Sequence, residues 1–98
     1  MRIYASVGTF AGDKDAAAHI RDTYLKRQLE QGNAAILDFR GVELATQSFI
    51  HALVAAAIRS DASTLDLIEF KNCNETVREI IQIVVDYAQD DFGVESDQ

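Results

Sequence analysis

Three residues whose types can do chemistry lie close together in the middle of the sequence. Asp38 falls near the end of an apolar run, and Ser48 and His51 follow where an apolar helical pattern begins. In open α/β sheets, sites collect where strands end and the next helices begin. Because Ser48 and His51 are three positions apart, they face the same side of a helix. A small enzyme or a phosphate-binding domain that uses these three residues is therefore one hypothesis.

A serine nucleophile needs more than a neighbouring histidine. It also requires an orienting acid and an oxyanion hole, and the sequence has no G-x-S-x-G turn around Ser48. The sequence also lacks a phosphate-binding loop of the G-x-x-x-x-G-K kind and a set of metal ligands with the usual spacing. We therefore favour a protein without enzymatic activity, cofactor or metal.

Thr46, Gln47 and Ser48 coincide with the predicted start of the second helix. Hydroxyl side chains at such positions mostly cap the backbone N–H groups that have no partner within the helix. The same helix end tolerates negative charge, so Ser48 and Thr46 are also candidate phosphorylation sites.

Asp38 is a single acid within an apolar run, and burial of an unpaired carboxylate is costly. Arg40 lies two residues further on and, in an extended chain, projects to the same side, where it can pair with Asp38. We expect a structural role, in which Asp38 accepts backbone N–H bonds from the loop that begins at Gly41 and ends at Glu43.

One side of the second predicted helix carries small residues rather than charged ones. It consists of Ser48, His51, Ala52, Ala55 and Arg59. A solvated helix face usually carries Lys, Glu or Gln, whereas small residues allow another surface to approach closely. Together with Thr46 and Gln47, these residues are our predicted partner-binding surface.

Apolar periodicity predicts strands and helices that alternate along the chain in the order β-α-β-α-β-α. The predicted elements lie at about 3–7, 14–31, 34–39, 48–59, 65–70 and 75–88. Each connection between strands contains a helix, which requires parallel strands with right-handed crossovers where consecutive strands are neighbours. The predicted fold class is a small α/β domain with packed helices and a mostly parallel sheet of three strands, or four. The exposed sheet edges make a homodimer, or a self-assembling structural subunit, an alternative.

The composition limits the classes of partner. The 98 residues carry a net charge of −7, which argues against nucleic acid, and they contain one cysteine. The sequence has no apolar run of the roughly 20 residues that a membrane span needs, so we expect a cytoplasmic protein. We place a single domain at 1–88 and an acidic, disordered tail at 89–98. The acids of that tail are Asp90, Asp91, Glu95 and Asp97.

The stretch from Ile36 to Glu43, followed by Ser48 and Phe49, resembles the family of STAS-like domains of unknown function. The shared pattern is an apolar strand that ends in Asp-Phe, a Gly/Val loop, and Ser-Phe at the start of an apolar helix. The similarity extends over about residues 3–88. More distantly, the chain resembles the STAS domains of anti-sigma-factor antagonists.

This resemblance implies a function in regulation. Such domains bind a kinase-like ATPase and are switched by phosphorylation at the start of the second helix. An alignment without gaps places Gln47 at the phosphorylated position, with Thr46 and Ser48 on either side. We therefore expect a non-enzymatic module that docks on a histidine-kinase-type ATPase through the N-terminal half of its second helix.

Overall fold

The computed structural model describes the backbone of residues 1–96 and the side chains of residues 1–89. The chain is a mixed α/β domain in which short parallel strands alternate with helices. Its strands are β1 (Phe10–Ala11), β2 (Ala35–Asp38), β3 (Leu44–Ala45) and β4 (Ile68–Lys71). Its helices are the single turn α1 (Tyr4–Val7), α2 (residues 14–30), α3 (residues 47–60) and α4 (Glu75–Ser96), and a 3₁₀ segment (Ala62–Leu67) precedes β4.

The strands form two separate parallel pairs, so the predicted three-stranded sheet is not confirmed. β2 pairs with β4 from Ala35 opposite Ile68 to Asp38 opposite Lys71. β1 pairs with β3, and Phe10 lies opposite Leu44. We did not predict β1 or β3, because two residues are too few to give a periodic pattern.

The first predicted strand, at 3–7, is wrong. Only the first three residues run beside β2, where the N–H of Ile3 donates to the carbonyl of Asp38 and the N–H of Asp38 donates to the carbonyl of Met1, both at 2.9 Å. Residues Tyr4–Val7 then form α1. β2 ends at Asp38 and offers no further partner, so the N–H groups of Val7 and Gly8 bond within this helical turn instead.

The third predicted strand, at 65–70, begins later than the alternating pattern indicated. Asp61 accepts a bond from the N–H of Ser63 at 3.0 Å and so begins the 3₁₀ segment, which includes Leu65 and Leu67. The strand itself starts at Ile68. A local side-chain cap therefore overrides the period-two pattern at its beginning.

The three predicted long helices are confirmed, and each begins at a capping side chain. Asp13 Oδ1 accepts the N–H of Asp15 at 2.9 Å before α2, and Gly32 follows the end of that helix with φ +74°. Thr46 caps α3 and Asn74 caps α4. Capping replaces the hydrogen bonds that the first turn of a helix lacks.

The helix α3 packs against both α2 and α4 and is buried around most of its circumference. Its buried side chains are Phe49, Ile50, Leu53, Val54, Ala55 and Ile58. Phe39, Leu37 and Ile3 contribute to the same core from β2 and the first residues of the chain. An apolar helix of this kind is stable only when neighbours cover it on several sides.

The helix α4 continues to Ser96 and so extends into the segment 89–98, where we expected a disordered acidic tail. The side chains of residues 90–98 and the backbone of residues 97–98 lie outside the described residues. The domain boundary after residue 88 therefore stays a prediction. Within the described part of the chain, every helix is too short or too polar to span a lipid bilayer.

Candidate functional site

A groove of about 300 Å³ runs along the N-terminal half of α3. Residues from α2, α3 and α4 line it, namely Lys14, Gln47, Ser48, His51, Ala52, Ile83, Val84 and Tyr87. Four of the predicted partner-binding residues are therefore brought together here on one surface. The opposite wall, from α4, was not part of that prediction.

The wall from α4 exposes two large apolar side chains. Ile83 is 48% exposed and Tyr87 is 66% exposed, and four residues separate them, so they project from the same side of the helix. Both lie outside the stripe through which α4 packs on the core, which includes Val77, Ile81 and Val84. Large apolar residues outside a buried stripe were the signal in the sequence that could have indicated this wall.

The groove carries a positive charge from Lys14, although the chain as a whole is acidic. Lys14 lines it together with His51, and none of the described lining residues is acidic. The chain as a whole carries a net charge of −7. The charge at the groove is therefore opposite in sign to the net charge of the chain. This difference favours a ligand with negative charge at this place.

The two candidate phosphorylation sites have different surroundings. The Oγ1 of Thr46 accepts the N–H of Phe49 at 3.1 Å, and its side chain is half-buried. Thr46 is thus a helix cap. The side chain of Ser48 is exposed and lies in the groove, one turn before His51.

The middle turn of α3 is π-helical, over His51–Ala55, and a π-helical turn of α2, Arg21–Leu25, packs against it. The carbonyl oxygen of Ala52 accepts a bond from Nη1 of Arg21 at 3.3 Å. A π-helical turn disturbs the regular i to i−4 bonding and is frequent at functional sites. His51 and Ala52, the first two residues of this turn, line the groove, and α2 supplies a partner for the Ala52 carbonyl.

Three residues of the predicted partner-binding surface do not line the groove, namely the helix cap Thr46, Ala55 and Arg59. Ala55 is only 1% exposed, in a turn of α3 that packs against both α2 and α4, so a partner cannot touch it. Its small side chain does allow a close approach, but the approaching surfaces are helices of this same chain. Arg59 is exposed in the last turn of α3 and does not line the groove.

Asp38 is half-exposed at the end of β2. Its Oδ1 accepts bonds from Nδ2 of Asn72 at 3.0 Å and from the backbone N–H of Arg40 at 2.9 Å. These bonds, first that from Asn72 and then that from Arg40, hold the pKa of Asp38 below its ordinary value, and the charges of Arg40 and Arg2 add to the effect. Asp38 therefore bonds to the following loop at Arg40 rather than at the predicted residues 41–43.

Asp38 does not line the groove that contains Ser48 and His51. Its carboxylate is instead bonded to Asn72 and to the Arg40 backbone. The three residues of the hypothetical catalytic site are thus not assembled in this groove. Within the described residues, no three His, Cys, Asp or Glu side chains are grouped so that they could hold a metal ion.

Two asparagines that follow β4, Asn72 and Asn74, position α4 and so the far wall of the groove. Asn72 has a positive φ of 56°, a conformation that asparagine tolerates better than most residues. Oδ1 of Asn74 accepts the N–H of Val77 at 2.7 Å. Its Nδ2 donates to the carbonyl of Glu43 at 3.0 Å and to that of Val42 at 3.5 Å, which ties the start of α4 to the loop before β3.

Comparison with models of protein families identifies the family of this chain. The model of the family described as "STAS-like domain of unknown function (DUF4325)" matches residues 16–78. The match includes the α3 side of the groove and leaves out Lys14 and the α4 wall with Ile83 and Tyr87. Neither the curated proteins nor the solved structures contain a match to this chain. Because the family model covers more than half of the sequence, the chain belongs to the family of STAS-like domains of unknown function.

Proposed function

We propose that this chain is a non-enzymatic regulatory module that binds a protein partner in the groove between α3 and α4. The observation that carries this proposal is the exposure of Ile83 and Tyr87 beside the polar start of α3. Large apolar side chains that border a concave, partly polar surface are typical of interaction sites. Membership of a STAS-like family supports a function in regulation.

The composition of the groove defines the chemistry of the partner. Ile83 and Tyr87 favour an apolar side chain of the partner, and Lys14 and His51 favour an acidic one beside it. We propose that a histidine-kinase-type ATPase presents this segment, because the resemblance to STAS domains implies such a partner. Burial of Tyr87 would provide much of the affinity, since tyrosine is enriched among the residues that dominate interfaces.

Regulation would act through Ser48. The ATPase partner would transfer the γ-phosphoryl group of ATP to Oγ of Ser48, with release of ADP and of the hydroxyl proton. The added charge of about −2 would lie beside Lys14 and would compete with an acidic group of the partner. Thr46 is the weaker candidate, because its Oγ1 is bonded to the N–H of Phe49.

Site-specific cross-linking tests the location and the partner together. A photoreactive phenylalanine analogue at position 51 of the full chain should form a cross-link in cells to a protein with a histidine-kinase-type ATPase domain. The same analogue at Glu69, which is exposed on β4, is the control and should give none. Cross-links from position 51 only to a second copy of this chain would replace the proposal with self-assembly.

A matched pair of substitutions tests the α4 wall. Ile83 and Leu44 have nearly equal exposures of 48% and 46%, so Ile83→Ala and Leu44→Ala remove similar apolar area. With the cross-linked ATPase purified, we expect Ile83→Ala to weaken binding about tenfold and Leu44→Ala to change it less than twofold. Equal effects of the two substitutions would contradict docking at this groove.

Intact-mass measurement tests the switch. Incubation with the purified ATPase and ATP should add about 80 Da to the chain, and Ser48→Ala should abolish the gain. A gain of mass in the Ser48→Ala variant that disappears when Thr46→Asn is added would move the site to Thr46, because asparagine can cap the helix but has no hydroxyl to phosphorylate. No gain of mass in the unmodified chain would exclude phosphorylation by this partner and would leave the docking proposal to the binding measurements.

A further inference from the structure

A second depression lies at the end of β2 and shares no residue with the groove. It is about 320 Å³ in volume and is lined by Arg2, Tyr4, Arg40 and Gly41. Two of its four lining residues are therefore arginines, although the chain has 16 acidic residues and only nine basic ones. A concentration of positive charge at one concave place attracts an anion.

The backbone brings the two arginines to the same carboxylate. Arg2 lies directly opposite Asp38 across the parallel contact between the first residues of the chain and β2. Residues opposite each other in a sheet project to the same face. Arg40 follows Asp38 by two residues, and both guanidinium charges act on the Asp38 carboxylate.

Neither guanidinium donates a hydrogen bond to that carboxylate. Oδ1 of Asp38 accepts its bonds from Asn72 and from the backbone of Arg40, not from the arginine side chains. Within the part of the chain that the structure describes, the side chains of Arg2 and Arg40 make no hydrogen bond or ion pair, whereas Nε of Arg21 pairs with Asp22 at 2.9 Å. One carboxylate does not neutralise two guanidinium groups, so at least one positive charge remains at the depression.

An aromatic ring completes the depression. Gly41 has a φ of +89°, and a Cβ built at this residue would lie 3.0 Å from the ring of Tyr4. Glycine thus lets the ring of Tyr4 pack against the backbone at residue 41. The side chain of Tyr4 is 48% exposed, so part of the ring stays available to a ligand.

We infer that this depression binds a phosphate monoester whose organic part is planar or apolar. A phosphate monoester has three acceptor oxygens and a charge of about −2, which matches two guanidinium groups, whereas a carboxylate carries a single charge. The ring of Tyr4 provides a surface on which the organic part can stack. A nucleotide and a phosphorylated aromatic side chain share this chemistry.

Titration of the ¹⁵N-labelled full chain with phenyl phosphate tests the inference. Any affinity tag belongs at the C-terminus, because the amine of Met1 donates to the carbonyl of Ile36 beside Arg2. We expect saturable shifts of the amide signals of Arg2, Tyr4, Arg40 and Gly41, and no saturable shift with phenol. Adenosine monophosphate and O-phosphotyrosine are titrated separately, and the tighter of the two identifies the source of the ligand.

Three substitutions and one control separate a site from general attraction. Arg2→Gln and Arg40→Gln should each weaken binding of phenyl phosphate about tenfold. Tyr4→Ala should weaken binding of phenyl phosphate more than that of inorganic phosphate. Arg27→Gln removes an equally charged, exposed residue from α2 and should change the affinity less than twofold. Equal losses in all three arginine variants, or shifts that do not saturate, would overturn the inference.

Discussion

The loss of the Asn74 side chain should destabilise the domain by an amount that follows from its bonds. Asn74→Ala removes the cap of α4, where Oδ1 accepts the N–H of Val77 at 2.7 Å, and such caps contribute about 1 kcal/mol. It also removes the donation to the Glu43 carbonyl at 3.0 Å. Because Asn74 is exposed, that bond competes with water and contributes about 0.5 kcal/mol. The expected loss in the free energy of unfolding is about 1.5 kcal/mol.

A serine at the same position separates the two contributions. Asn74→Ser keeps an oxygen that can accept the N–H of Val77, but it lacks the amide that donates to Glu43. We expect a loss of about 0.5 kcal/mol for this variant, because only the donated bond is missing. The difference of about 1 kcal/mol between the alanine and serine variants then measures the cap alone.

Urea denaturation followed by circular dichroism measures these differences, and thermal unfolding gives an independent check. For a domain of this size, about 1.5 kcal/mol corresponds to a fall in Tm of about 6–12 °C. Asn33→Ala is the control, because Asn33 also bonds through Nδ2 to two side chains but does not cap a helix. Equal stability of the Asn74→Ala and Asn33→Ala variants would refute the assignment of Asn74 as the residue that fixes the start of α4.

Three further predictions concern other positions. Ala55→Glu should unfold the domain in a circular dichroism measurement, because a carboxylate would enter a site that is 1% exposed. His51→Asp should leave the fold intact, because His51 is exposed. The pKa of Asp38 is lower in the folded state than in the unfolded chain, where it is about 4. The contribution of Asp38 to stability is therefore present above the unfolded pKa and disappears as the pH falls through the folded pKa. The stability difference between the wild-type chain and Asp38→Asn, measured by urea denaturation, should therefore shrink below about pH 4 and stay constant from pH 5 to 7. Gly41→Ala should lower Tm in a thermal scan, because φ is +89° and the new Cβ would lie 3.0 Å from the Tyr4 ring. Tyr4→Ala in the same background should recover only the part of the lost Tm that is due to this contact.

The helices were predictable because their signals are local. An apolar pattern with a helical period and a capping side chain in front of it are contained in one segment of the sequence, and a glycine also follows α2. Asp13, Thr46 and Asn74 are the capping residues of the three long helices. For the same reason the start of α3, with Thr46 bonded to the helix and Ser48 exposed, lies within one residue of its predicted position.

The strands were less predictable because a strand depends on a partner that is distant in sequence. Tyr4–Val7 has β-forming residues, but β2 ends too early to pair with them, and they form a helical turn. Phe10–Ala11 and Leu44–Ala45 have no pattern of their own and become strands only because each lies beside the other. No local signal specifies such pairs.

The sequence by itself determined the three long helices, the caps at which they begin, and the polar segment from Thr46 to His51 that follows a buried strand. The tertiary structure decided which surfaces of those helices remain exposed. It buried Ala55 between helices of the same chain, and it brought Ile83 and Tyr87 beside Ser48 to form a groove. The physical reason is that a helix pattern shows which residues are apolar, whereas only the packing of all helices decides how much of that apolar surface is covered.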